Sequence, residues 1–180
     1  MQFINDEPVA GFRGEASNDL LTCVHESAHV VAATSFGVRI SRVTVEDQPR
    51  LFCGDEFPIN DMSIVAVTAF AGIEAERVVD PGASEKGASI DFALAREVYA
   101  QYFHDQDEAA FMARSRQQAR ALARRLWIPI QWIAARLYLD GEVAGDTVRQ
   151  ILADGVERKA RERDARLNRA WQNALAQCGH

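Results

Sequence analysis

Behind the polar triplet Ser17-Asn18-Asp19, the residues Leu21, Val24, Ala28, Val31 and Ser35 fall along one face of a 3.6-residue repeat. The triplet supplies N-cap side chains and Gly37 a stop, so the pattern predicts a helix up to about Phe36. Residues 1 to about 15 show no such period and read as irregular. The β-branched, partly alternating run VRISRVTVE at 38–46 predicts a strand, Asp47-Gln48-Pro49 a turn, and Leu51 to Gly54 a second short strand, with a polar loop through Pro58. Residues 61–79 form a nearly all-apolar helix, 80–88 (DPGASEKGA) a turn-rich segment, and Ser89 a cap for a helix over 90–103. Helices follow over about 107–126 and 127–139, the latter with Pro129 near its start, where the missing N–H is tolerated. Gly141 to Gly145 reads as a turn and 146–153 as a short helix.

From 154 to 177 the period persists, but apolar positions thin to Val156, Ala160, Leu167, Trp171 and Leu175 among Arg and Glu. The fold class expected is mainly α with a small β-sheet. The domain division expected is 1–153 as the functional domain and 154–180 as a charged C-terminal helix or tail. In that tail Arg158, Lys159, Arg161, Arg163, Arg166 and Arg169 are interrupted by Glu157, Glu162 and Asp164 at helical pairing distances. That pattern favours a salt-bridged surface helix that docks on a partner over a nucleic-acid contact.

Composition narrows the class. Hydrophobic residues make up 48% of the 180, enough for a substantial core, and the net charge of −6 speaks against a phosphate backbone as partner. The three cysteines, Cys23, Cys53 and Cys178, include no CxxC pair, which disfavours a disulfide framework or a four-thiolate metal site. No apolar run approaches the roughly 18 residues of a membrane span, and the first residues lack the apolar core of a signal peptide. The expected setting is cytoplasmic, with no membrane and no nucleic acid.

The chemistry lies in His25-Glu26-Ser27-Ala28-His29, an HExxH motif. Residues four apart on a helix share a face, so both imidazoles can address one ion. The glutamate at the second position lies beside that ion without ligating it and can act as a base toward a water. Val24, Val30 and Val31 would bury the helix around it. A catalytic zinc site takes three protein ligands and keeps one open position. Position 35 is Ser35, which excludes a third histidine at metzincin spacing. An acid from a later helix must serve: Glu76 (with Asp80 four residues on) and Asp91 stand equal on spacing, with Glu74 and Glu97 behind them.

In these residues the chain resembles the peptidase domain of the FtsH-type ATP-dependent zinc metalloproteases. HESAHVVAA at 25–33 is similar to the family's HEAGHAVVA, AFAGIEAERVV at 69–79 to LAGRAAEELIFG, and GASIDFALAREVY at 87–99 to GASNDLERATEIA. The segment VTV at 43–45 sits where the family has a strand after its zinc helix. The stretch ending in LYLDGEVAG follows the closing helices in pattern, so the likeness covers roughly 20–153.

The resemblance implies a zincin-like helical peptidase fold, Zn2+ held by His25, His29 and Asp91, Glu26 as catalytic base, and Glu76 as a supporting residue. It implies a polypeptide substrate that pairs in extended form with the strand near Val43 to Glu46. Ala28 replaces the family's glycine before the second histidine. The likeness is to the peptidase domain alone, and no ATPase module or membrane anchor of the family's kind is expected. Gly82 to Ser89 is not a phosphate loop, because Ala88 stands where its lysine belongs. The expected activity is therefore an ATP-independent zinc endopeptidase, with a homo-oligomer or a partner ATPase as associates. The alternative is a catalytically silent, metal-stabilised interaction or regulatory module derived from such a peptidase.

Overall fold

The structure, a computed structural model, describes residues 20–45, 50–53 and 61–177. Helices α1 (Leu20–Ser35), α2 (Ser63–Val79), α3 (Ser89–Tyr102), α4 (Glu108–Arg125), α5 (Trp127–Asp140) and α6 (Gly145–Gln177) surround three short strands, β1 (Ile40–Thr44), β2 (Arg50–Cys53) and β3 (Glu142–Ala144). The molecule is mainly helical with a small antiparallel sheet, as the pattern predicts. The expected caps at Ser17, Asn18 and Asp19, the turn at Asp47 to Pro49, the loop from Gly54 to Pro58 and the side chains of Leu167, Trp171 and Leu175 lie outside the described residues. Among the described residues, no helix is long and apolar enough to cross a membrane.

The end of α1 follows from one glycine. Gly37 takes a left-handed φ of 85°. This lets its N–H reach the Thr34 carbonyl at 3.0 Å and lets Val38 N–H reach Ala33 at 3.0 Å, which closes the last turn. The chain then turns into β1, where Ile40 and Val43 face the core and a bulge between Ile40 and Arg42 leaves Ser41 and Arg42 both exposed.

The strand order is β2-β1-β3, so β1 is the central strand. Val43 pairs with Leu51 on one side and Val143 on the other. The expected docking edge at Val43 is thus already filled on both sides, and among the described residues β2 and β3 are the outer strands.

Three other expectations change. The segment read as a turn at 141–145 contains β3: Gly141, with φ 74°, ends α5, and Glu142 to Ala144 pair with β1. The expected short helix at 146–153 and the tail are one continuous helix, α6. It survives Gly155 because it crosses α5 there: a Cβ at 155 would lie 2.7 Å from Pro129 Cδ. Ser89 is the first residue of α3 and makes no cap bond. Ser84 instead caps a 3-10 turn, Glu85–Ala88, that leads into α3.

Two apolar clusters hold the helices. One packs α1 against the sheet, α5 and the start of α6, through residues such as Val30, Val31, Val43, Ile133 and Val148. The other packs α2 against α3 and α4 through Phe70, Val98, Phe111 and Ala119. Every residue of α2 from Val65 to Ala75 is buried, because α1, α3 and α4 all pack against it.

Candidate metal centre

The site lies where α1, α2 and the start of α3 meet. His25 and His29, one turn apart on α1, present their rings edge to face, with centroids 4.6 Å apart. Asp91, in the first turn of α3, reaches both: its Oδ2 lies 3.0 Å from His25 Nε2 and 3.5 Å from His29 Nε2. A position near a helix N-terminus suits a carboxylate. The ligand atoms of the three residues lie within 4.8 Å of one another.

The opposite ring nitrogens are both engaged by α2. His29 Nδ1 donates to the Thr68 carbonyl at 2.8 Å, and His25 Nδ1 lies 2.5 Å from Glu76 Oε1. With each Nδ1 turned to an acceptor, each Nε2 is left to face Asp91. This is the arrangement that fixes tautomer and ring orientation in histidines that bind metals. Because His29 meets Thr68 while His25 meets Glu76, α1 and α2 run in opposite directions along this seam.

The electrostatics match. Burial alone lowers the His25 pKa, but the bonds to Asp91 and Glu76 outweigh it and raise it to about 10. Burial pushes Asp91 up, yet the two imidazoles hold it well below the usual carboxylate range. The carboxyl of Glu26 is pushed up by burial, partly offset by the neighbouring imidazoles of His29 and His25. An ion placed among these three side chains would compete with the His25 proton for one position.

Of the two acids that spacing left open, Asp91 groups with the two Nε2 atoms and Glu76 meets His25 Nδ1 on the other side of the ring. Neither weaker option joins them. Glu97 is exposed. Glu74 is fully buried and spent on arginines: Arg120 Nε at 2.7 Å, Arg77 Nη1 at 3.1 Å and Arg116 at 3.3 Å. Asp80 accepts from Gly82 N–H at 2.8 Å and shapes the following turn.

Two parts of the site had no place in the sequence reading. The Thr68 carbonyl is backbone and leaves no side-chain signal. The arginine cluster joins helices far apart in sequence: Arg77 and Arg116 also hold Glu85 at 2.8 Å, and Arg116 lies over the rings of Phe70 and Phe92. It thereby ties the 3-10 turn and α3, which carry Asp91, to α2 and α4. The available signal was an acid, Glu74, directly behind the apolar run that ends at Ile73. Compared with known proteins, the chain matches no family model and no curated protein sequence, so its reading rests on the geometry of this site.

Proposed function

We propose that the chain is a zinc metallopeptidase of the FtsH-type peptidase fold, hydrolysing peptide bonds with Glu26 as base. One observation carries the reading: the ligand atoms of His25, His29 and Asp91 lie within 4.8 Å of one another, and Glu26 follows His25 directly on α1. The donor set fits zinc. Ligand atoms about 2.0–2.1 Å from a tetrahedral ion stand roughly 3.3–3.5 Å apart. The carboxylate oxygen here lies 3.0 and 3.5 Å from the two nitrogens, and all three ligand atoms lie within 4.8 Å of one another. His25, His29 and Asp91 would hold the ion with three protein ligands, the number found in catalytic rather than structural zinc sites.

A zinc ion held there supplies a Lewis acid that brings the pKa of a water toward neutrality and polarises the scissile carbonyl. The protein residues do the rest. Glu76 and Thr68 keep the two imidazoles in the ligating tautomer. Glu26 takes the proton from the attacking water and returns it to the leaving nitrogen. Burial raises the proton affinity of Glu26.

The test pairs metal content with turnover. Elemental analysis should give about one zinc per chain in the wild type and a strong loss in His25→Ala and Asp91→Ala. Glu26→Gln should keep the metal and lose at least about a hundredfold in cleavage of a labelled unfolded polypeptide. Retained cleavage in Glu26→Gln refutes the mechanism. Zinc without cleavage of any polypeptide would move the assignment to a metal-stabilised binding module.

A further inference from the structure

Glycine stands where α2 crosses the His25 imidazole. A Cβ at position 72 would lie 2.5 Å from His25 Nε2 and 2.6 Å from its Cδ2 and Cε1. Carbon atoms in good contact sit about 3.5–4.0 Å apart, so a methyl group there would have to displace the ring by roughly 1 Å. Glycine in a helix interior weakens the helix, and the neighbours Ala71 and Ala75 show that α2 otherwise fills such positions with alanine.

The placement is specific. Thr68, Gly72 and Glu76 follow one another at intervals of four along a single stripe of α2. The outer two hold the Nδ1 atoms of His29 and His25, and the middle one leaves the gap that the His25 ring fills.

We propose that Gly72 is a positioning residue of the metal centre. Its bare Cα is the seat against which the His25 ring lies, with Nδ1 on Glu76 and Nε2 turned toward Asp91 and His29. The helices cannot yield in place of the ring. On either side of the seam Val30, Val31, Ala66 and Phe70 have no exposed surface, and interiors of this density do not part to admit a methyl group. The consequence for metal affinity rests on the metal-site reading above. The seat itself does not.

The experiment compares Gly72→Ala with Gly87→Ala, whose added Cβ meets nothing within 4 Å. In chelator-treated protein, long-range 1H–15N spectra of the imidazoles should show the hydrogen-bonded Nδ1–H of His25 lost in Gly72→Ala, with that of His29 retained. Titration with Co2+ should show a loss of affinity of about tenfold or more and an altered visible spectrum in Gly72→Ala, with Gly87→Ala like the wild type. An unchanged His25 signal together with wild-type Co2+ affinity overturns the seat. A wild type that binds no Co2+, with the His25 signal still lost in Gly72→Ala, supports the seat and overturns the metal reading. If Gly72→Ala does not fold, the same change in a His25→Ala background decides: recovered folding supports a clash with the ring, and continued misfolding overturns it.

Discussion

Replacing Glu74 by Gln keeps the shape of a side chain with no exposed surface and removes its charge. Three guanidinium groups then face an amide whose nitrogen can only donate. Breaking a buried ion pair from one side costs about 3–5 kcal/mol. Two features reduce that figure. Arg77, Arg116 and Arg120 are 24%, 27% and 51% exposed and can rehydrate, and Glu85 remains beside two of them. The expected loss is about 2–3 kcal/mol, or roughly 4–12 °C in Tm for a chain of this size.

The pH dependence gives a second handle. Burial pushes Glu74 up, but Arg120 and Arg116 outweigh it and hold its pKa below the ordinary 4.5. A depressed folded-state pKa gives stability that is present above the unfolded value and lost as pH falls through the folded one. Urea unfolding of wild type and Glu74→Gln should therefore show a constant gap from pH 7 down to about 4.5, narrowing only below. A gap under about 1 kcal/mol at neutral pH, or one that closes already above about pH 5, would refute the argument.

Two further outcomes are expected. Asp107 caps α4 by accepting from Ala110 N–H at 2.7 Å, so Asp107→Ala should cost about 1 kcal/mol in urea unfolding while Asp107→Asn costs little. His25 has a folded-state pKa raised from 6.5 to about 10, so its protonated form stabilises fully below pH 6.5 and the contribution fades as pH climbs toward 10. Thermal unfolding of chelator-treated protein should weaken across that window, whereas zinc-loaded protein, its His25 already unprotonated, should not; a flat profile without metal would count against the His25–Asp91 pairing.

The helical frame was legible because its signals are local. The alternation of apolar positions, the stop at Gly37 and the start at Asp107 act within a few residues of themselves. β3 was not legible, since three residues between two glycines carry no period and become a strand only through pairing with β1. The division expected between 153 and 154 likewise vanishes, because the crossing over Pro129 lets α6 continue through Gly155. In the site, the two histidines announced themselves by their spacing of four. The acid did not: Glu76 and Asp91 both lie on neighbouring helices, and sequence distance says nothing about which side of a ring each reaches. Glu74 was visible as an acid in apolar surroundings, but its three partners lie on two helices, and Arg116 and Arg120 are more than 40 residues away.

The elements that bring the three ligands together are unequally anchored. α2 is buried along eleven successive residues, whereas α3 fully buries only Ala95 and Val98. Segments with few buried contacts open at a lower free energy than the rest of a fold. An ion shared by His29 and Asp91 would clasp this lightly held helix across 62 positions of chain (91 − 29), so ligand exchange and undocking of α3 become a single equilibrium. Amide hydrogen exchange along α3 would then read out metal occupancy directly, and scarcity of the ion would be felt first as a softening of this one edge while the α1–α2 body stays intact.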